Sequence, residues 1–269
     1  MLNRISDSAL LKEKFDALID KRYSEQIYQE FMENNTALVP REFIQNHGVL
    51  FDLVFRKLSL AKDYITDFFY ITKSSADWNC VLIEIEKPQS NYFKGASNKF
   101  HPNFQAALEQ INRWRAWFDN RSNLDGFING TLIGLVPEVL RHNPCQINYV
   151  LVHGRRAEFE GNEIKKGLIR GQERDDFHIL SYDSLAESLH SKGELYLAIR
   201  KNEYIEILSR TFITEDMFCL LDPSYIKITD ELRKNILDNK KSWIHYSTSS
   251  GQFRLTLEDV LPKIGVIRV

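Results

Sequence analysis

The feature that most constrains this chain is the run Cys80-Val81-Leu82-Ile83-Glu84-Ile85-Glu86-Lys87-Pro88. Apolar residues dominate it until two carboxylates appear, and a proline that cannot donate to a ladder closes it. A near-continuous apolar strand must be covered on both faces, so the run predicts a central strand with helices on either side of the sheet. A carboxylate at the end of such a run is costly to bury without a partner. One segment therefore indicates both a fold class and a place to look for chemistry.

The surrounding elements fit that frame. Val49 to Leu60 alternates through Phe51, Leu53 and Phe55, a strand pattern, and Asp67 to Ile71 predicts a second strand before the turn-like Lys73–Asp77. From His101 to Asp119, Phe104, Leu108, Ile111 and Phe118 recur at helical spacing. Ile147–Val152 reads as another buried strand and His178–Ser181 as a shorter one. Asp183 suits the cap of a helix through Leu185, Ala186 and Leu189. Ahead of these, Leu10, Leu11, Phe15, Leu18 and Ile19 mark one helix, and Ser24 opens a second through Ile27, Tyr28, Phe31 and Met32. Pro40 and Gly48 bracket a short third helix through Phe43 and Ile44. Beyond Gly193 the pattern predicts a hairpin from Leu195 to Leu208, a helix over Ile228–Leu237 and a strand at Phe253–Leu255. Strands alternating with helices make the chain α/β. The expected organisation is an N-terminal helical region over 1–48, a central domain over 49–193 and a small α+β subdomain over 194–269.

Acidic and basic residues nearly cancel, giving a formal net charge of −2. Contact with nucleic acid would therefore come from a local basic patch rather than from the charge of the whole molecule. The three cysteines, Cys80, Cys145 and Cys219, are widely spaced and form no Cys-x-x-Cys pair, which argues against a zinc site or a secreted disulfide framework. Cys80 reads as a small core residue. The N-terminus has no signal-peptide pattern, and the best apolar stretch, Gly126–Val136, is too short to cross a bilayer. The expectation is a cytoplasmic, reduced protein with no membrane partner.

The chemistry-bearing residues are Asp67, Glu84, Ile85, Glu86, Lys87 and Gln110. Phosphodiester hydrolysis needs a divalent cation that polarises phosphate and lowers the pKa of bound water. Magnesium, with manganese as a substitute, takes carboxylate and carbonyl oxygens. Asp67 and Glu84 are separated by enough chain for a strand, a turn and a returning strand, which puts both at one end of a hairpin. Their carboxylates and the Ile85 carbonyl form the expected ligand set. Glu84 and Glu86 also read, more plainly, as a solvated sheet end. Gln110 and Trp114, four apart, share a helix face. In recombination-type nucleases such a Gln-x-x-x-aromatic helix lies beside the metal hairpin, whereas in an ordinary helix Trp114 is core and Gln110 is solvated.

The ordered set of Phe31-Met32-Glu33-Asn34-Asn35, Asp67-Phe68, Ile83-Glu84-Ile85-Glu86-Lys87-Pro88 and Ala107-Leu108-Glu109-Gln110-Ile111 resembles the Shedu family of bacterial anti-phage nucleases. The later Val150-Leu151-Val152-His153-Gly154-Arg155-Arg156 and Ile179-Leu180-Ser181-Tyr182-Asp183-Ser184-Leu185 extend the resemblance, which covers about Phe31 to Leu189. It implies a PD-(D/E)XK restriction-endonuclease-like core, a mixed sheet flanked by helices. It also implies DNA as substrate, divalent-metal dependence and a homo-oligomer, often a tetramer. Gln110, Arg113, Trp114, Arg155 and Arg156 are the expected DNA contacts.

The chain departs from the family at one position. The usual lysine two residues after the glutamate is Glu86 here, and Lys87 follows it. Glu86 replaces the lysine, or Lys87 turns in beside Pro88, or the site is degenerate. On a regular strand Glu84 and Glu86 share a face and Lys87 points away. Arg155 and Arg156 can grip a phosphate or form a solvated basic turn; Lys165, Lys166 and Arg170 read as surface charge, and His153 and His178 as structural. The sequence thus supports a metal-dependent DNA endonuclease first. A catalytically weak nuclease-fold protein that binds DNA or a partner is the alternative.

Overall fold

The computed structural model describes residues 8–45, 48–74, 76–136, 142–187, 189–209, 223–238 and 261–267. Its centre is an α/β arrangement in which helices cover a mixed sheet. Two N-terminal helices, α1 (Ser8–Ile19) and α2 (Glu25–Asn34), precede strand β1 (Leu53–Arg56). A two-stranded ribbon of β2 (Ser59–Leu60) and β3 (Tyr64–Ile65) leads into β4 (Phe68–Lys73) and β5 (Trp78–Ile85). Next come α3 (Pro102–Asp119), α4 (Arg121–Gly126), β6 (Cys145–Val152), α5 (Glu163–Arg170), β7 (Phe177–Leu180) and α6 (Tyr182–Leu185). The chain continues through β8 (Tyr196–Arg200), β9 (Ile205–Ile207), β10 (Ile226–Thr229), α7 (Asp230–Asp238) and β11 (Gly265–Ile267).

Nine of these strands form one sheet in the order β11-β10-β9-β8-β1-β4-β5-β6-β7. β1, β4 and β5 are an antiparallel meander, and β6 and β7 join parallel to β5 after helical crossovers. β5 is buried along its whole length, as its composition requires. Its residues alternate between two cores. Cys80 and Leu82 face α3 through Phe104, Ala107, Ile111 and Trp114, while Val81, Ile83 and Ile85 face α1, α2 and α6 through Phe15, Met32 and Tyr182. The strands after residue 193 extend this sheet, because β8 pairs parallel with β1 and β9 returns antiparallel to β8.

Several sequence expectations need correction. Arg41 to Ile44 form no helix. The Glu42 and Phe43 carbonyls instead accept hydrogen bonds from Tyr70 and Thr72 of β4, and Phe43, at φ 55°, stacks on His178. Tertiary hydrogen bonds here displace the local helical ones. The strand expected over Val49–Leu60 is interrupted: Phe51, Asp52 and Lys57 all have positive φ, leaving β1 only four residues long. Ile228 lies in β10, so the helix expected from it begins at Asp230 instead. Asp183 accepts from the Arg155 side chain and the Arg156 amide, and Ser181 holds the cap position of α6. Lys165 is buried with its ammonium 4.7 Å from the centre of the Phe93 ring, not spread over the surface. The strand expected at Phe253–Leu255 lies outside the described residues. No described helix is long and apolar enough to cross a membrane.

Candidate active site

The end of the β4–β5 hairpin gathers acidic residues from three elements. Asp67 stands immediately before β4, and the Phe68↔Ile83 register brings it beside Glu84. Its amide donates to the Ile83 carbonyl at 3.1 Å, and its Oδ2 accepts from the Ile85 amide at 2.8 Å. Asp67 thus holds the backbone on both sides of Glu84. Both carboxylates are buried. Like charges this close on neighbouring strands destabilise a sheet unless something neutralises them.

α3 supplies the third wall. His101 caps it, its Nδ1 accepting from the Asn103 amide, and Pro102 fits the first turn, where a missing N–H costs nothing. The helix packs its apolar stripe on the sheet and carries Gln110 to the rim, where Nε2 donates to Glu84 Oε1. The structure therefore brings together Asp67, Glu84 and Gln110. Glu86 follows on the same strand, its amide bonded to the Val152 carbonyl at 2.8 Å and its own carbonyl accepting from the Tyr182 hydroxyl. Ladder bonding continues through Glu86, and Lys87 beyond it is exposed.

Two charged groups that sequence reasoning missed complete the cluster. Lys57 Nζ lies 2.5 Å from Asp67 Oδ1, and the Lys57 amide donates to the Asp67 carbonyl at 3.0 Å. Glu25, in the first turn of α2, interacts electrostatically with Asp67, Glu84 and Glu86. Periodicity marks Glu25 only as a solvated first-turn acid, and Lys57 as the residue after a strand. Their convergence depends on how α2 and β1 pack.

The electrostatics follow from burial and crowding. Burial, reinforced by Asp67, Glu25 and Glu86, pushes the Glu84 carboxyl well above the usual carboxylate range, and Lys57 opposes this. Burial and the neighbouring Glu25 raise Glu86 to about 7, with Lys87 pulling the other way. Glu25 is raised as well, chiefly by burial and then by Asp67. Next to Asp67, the buried Thr66 hydroxyl has no hydrogen-bond partner. The region thus gathers poorly solvated carboxyl groups whose ionisation is disfavoured until a cation compensates it.

Such a donor set suits a hard divalent cation. Among the described residues, no three His, Cys, Asp or Glu side chains form a ready ligand group. Magnesium, however, commonly binds through one or two carboxylates and keeps water or phosphate oxygens in its remaining positions. The groups that could hold one are the Asp67 and Glu84 carboxylates, which meet at paired strand ends, and the Ile85 carbonyl.

The expected DNA contacts divide. Arg113 is exposed on α3, three residues from Gln110. Trp114 is fully buried in the core between α3 and the sheet, which corrects its reading as a DNA contact and matches its plainer reading as core. Arg155 is committed to Asp20 and Asp183, both at 2.8 Å, and Arg156 to Glu187 at 2.5 Å. They follow Gly154, whose φ of 55° and close approach to the Ser90 carbonyl, 2.6 Å from where a Cβ would sit, admit only glycine. Arg155 thus ties the β6–α5 turn to α6 and to the residue after α1, and Arg156 ties it to the segment just after α6. His153 is buried, its Nε2 against the Asn91 carbonyl, and burial lowers its pKa to about 4, consistent with a structural role.

A family model described as Shedu protein SduA, C-terminal, matches residues 22–186. That span contains Glu25, Lys57, Asp67, Glu84, Glu86 and Gln110. No curated protein matches the chain.

Proposed function

The chain belongs to the Shedu SduA C-terminal family, and from that premise we propose that it is a magnesium-dependent DNA endonuclease acting in anti-phage defence. The observation that carries the reading is the meeting of Asp67 and Glu84 at one hairpin end with Gln110 hydrogen-bonded to Glu84. The connectivity supports it too. Helix α2, the β1-β4-β5 meander, helix α3 and the parallel strand β6 give the α/β mixed sheet flanked by helices that a PD-(D/E)XK core would need.

Asp67, Glu84 and the Ile85 carbonyl would hold the cation. A bound magnesium or manganese ion supplies Lewis-acid polarisation of a phosphate oxygen and acidifies water. The chain's own groups do the rest. Asp67 fixes the strand on which Glu84 sits, and Gln110 fixes the Glu84 carboxylate. Glu86, the residue after β5, would accept a proton from attacking water. Lys57 holds positive charge against Asp67, where it can steady charge developing on a phosphate. Arg113 and Lys87 are exposed and can meet the DNA backbone. Arg155 and Arg156 are assigned to the scaffold.

Supercoiled plasmid incubated with the purified protein and magnesium, with and without chelator, tests the reading. Metal-dependent nicking supports it. DNA binding without cutting would favour a nuclease-fold sensor instead. Self-association is also proposed, since among the described residues β7 and β11 end the sheet and strand edges favour pairing; a concentration-independent monomer in light scattering would contradict it.

A further inference from the structure

At the opposite end of β5 from the carboxylates, Cys80 and Cys145 face each other with their sulfurs 3.3 Å apart. Both belong to the longest parallel pairing in the sheet, in which Trp78 lies opposite Cys145 and Cys80 opposite Ile147. That register makes Cys80 and Cys145 diagonal neighbours on one face of the sheet, two positions apart, and their side chains lean along the strands to bring the sulfurs together. Cys80 is fully buried, while Cys145 is only partly covered. Cys145 also lines a cavity of about 330 Å³ together with Trp78, Leu124, Leu132, Val136 and Pro144. One sulfur is thus reachable from outside and the other lies directly behind it.

We propose that Cys80 and Cys145 form a two-electron redox site, oxidised to a disulfide by a small hydroperoxide that enters through this cavity. The asymmetry between the two thiols sets the order of events. The hydrogen bond from Cys80 lowers the Cys145 pKa, whereas burial raises that of Cys80. Reactivity follows the thiolate and its access, and both favour Cys145. The Cys145 thiolate attacks the outer peroxide oxygen. The O–O bond breaks, Cys145 becomes a sulfenic acid, and the alkoxide or hydroxide released takes a proton. Cys80 then gives up its thiol proton and its sulfur attacks the Cys145 sulfur. The S–S bond forms, the S–O bond breaks, and the departing hydroxide leaves with that proton as water. Two thiols lose two electrons in total, and one hydroperoxide is reduced to an alcohol, or water, plus water. The cross-link ties together β5 and β6, the strand that carries Glu84 and its parallel neighbour.

The test uses the full chain with Cys219→Ser, so that two thiols remain, reduced and then titrated with hydrogen peroxide. Intact mass after denaturing alkylation should show a species lighter by two hydrogen atoms with neither thiol alkylated. Peptide mapping should join the Cys80 and Cys145 peptides. In Cys80→Ser, dimedone should trap a sulfenic acid on Cys145; in Cys145→Ser, Cys80 should stay alkylatable. The unsubstituted pair gives the answer even if a variant fails to fold. Full alkylation of both thiols after excess peroxide, or oxidation of Cys80 when Cys145 is replaced, would overturn the proposal.

Discussion

Replacing Glu86 with glutamine removes one negative charge from the cluster at almost constant volume. In the folded protein its carboxyl is raised from 4.5 to about 7, first by burial and then by Glu25. At ~1.36 kcal/mol per pH unit, ionised Glu86 costs the native state roughly 3 kcal/mol. Solvent screening of a partly exposed carboxylate reduces this to about 1.5–2 kcal/mol. The sign is set by which state holds the proton. Between pH 4.5 and 7 the folded chain binds it more tightly than the unfolded chain, so this contribution to stability is present at low pH and lost as pH rises through 7. In chelator at pH 8, Glu86→Gln is therefore expected to be more stable than the parent by about 1.5–2 kcal/mol, a rise in Tm of about 5 °C for a chain of this size. At pH 4 the gain should vanish. The acid penalty of charging buried His153 is shared by both proteins and cancels. Thermal unfolding of the two proteins at both pH values is the assay. An equal difference at pH 4 and pH 8, or destabilisation at pH 8, would refute the electrostatic argument.

Glu86→Ala is expected to lower cleavage by about a hundred- to ten-thousandfold, as for loss of a general base, while Lys87→Ala is mild; nicking rates at saturating magnesium rank the two, and the reverse order would move the role to Lys87. Lys57→Ala leaves Asp67 without its cation, so calorimetry should show divalent affinity unchanged or higher while nicking falls about a hundredfold. Loss of metal binding together with cleavage would assign Lys57 to the scaffold. Trp114→Ala should cost about 3–5 kcal/mol in denaturant unfolding, as for a buried aromatic, and leave the DNA affinity of the folded fraction unchanged; weaker DNA binding by that fraction would contradict its place in the core.

The parts of this fold legible in the sequence are those that one period or one run decides. β5 could be read because seven apolar or acidic residues in a row admit few other structures, and α3 because Phe104, Ile111 and Phe118 recur on one stripe. Asp67 and Glu84 were legible as a pair because their spacing fits a single hairpin. Less could be read where long-range packing overrides a local signal. Pro40 to Ile44 carries helix punctuation, yet β4 takes its carbonyls. Gln110 and Trp114 share a helix face, but the sheet covers Trp114 and leaves Gln110 at its rim. Arg155 and Arg156 look like a phosphate grip until Asp20, Asp183 and Glu187 arrive from elsewhere in the chain. Glu25 and Lys57 carry no sequence signal of their own, because their position depends on contacts that no local period encodes.

The central claim is that the hairpin end carrying Asp67 and Glu84 is the cleavage centre. It is tested most directly by the initial rate of supercoiled-plasmid nicking by Asp67→Asn and Glu84→Gln beside the parent protein, at equal folded concentration and saturating magnesium. Each substitution deletes ligand charge without changing volume. The account predicts that the parent nicks DNA only with the metal and that each variant loses at least about a hundredfold in rate, with circular dichroism unchanged. A parent rate retained by either variant would contradict it.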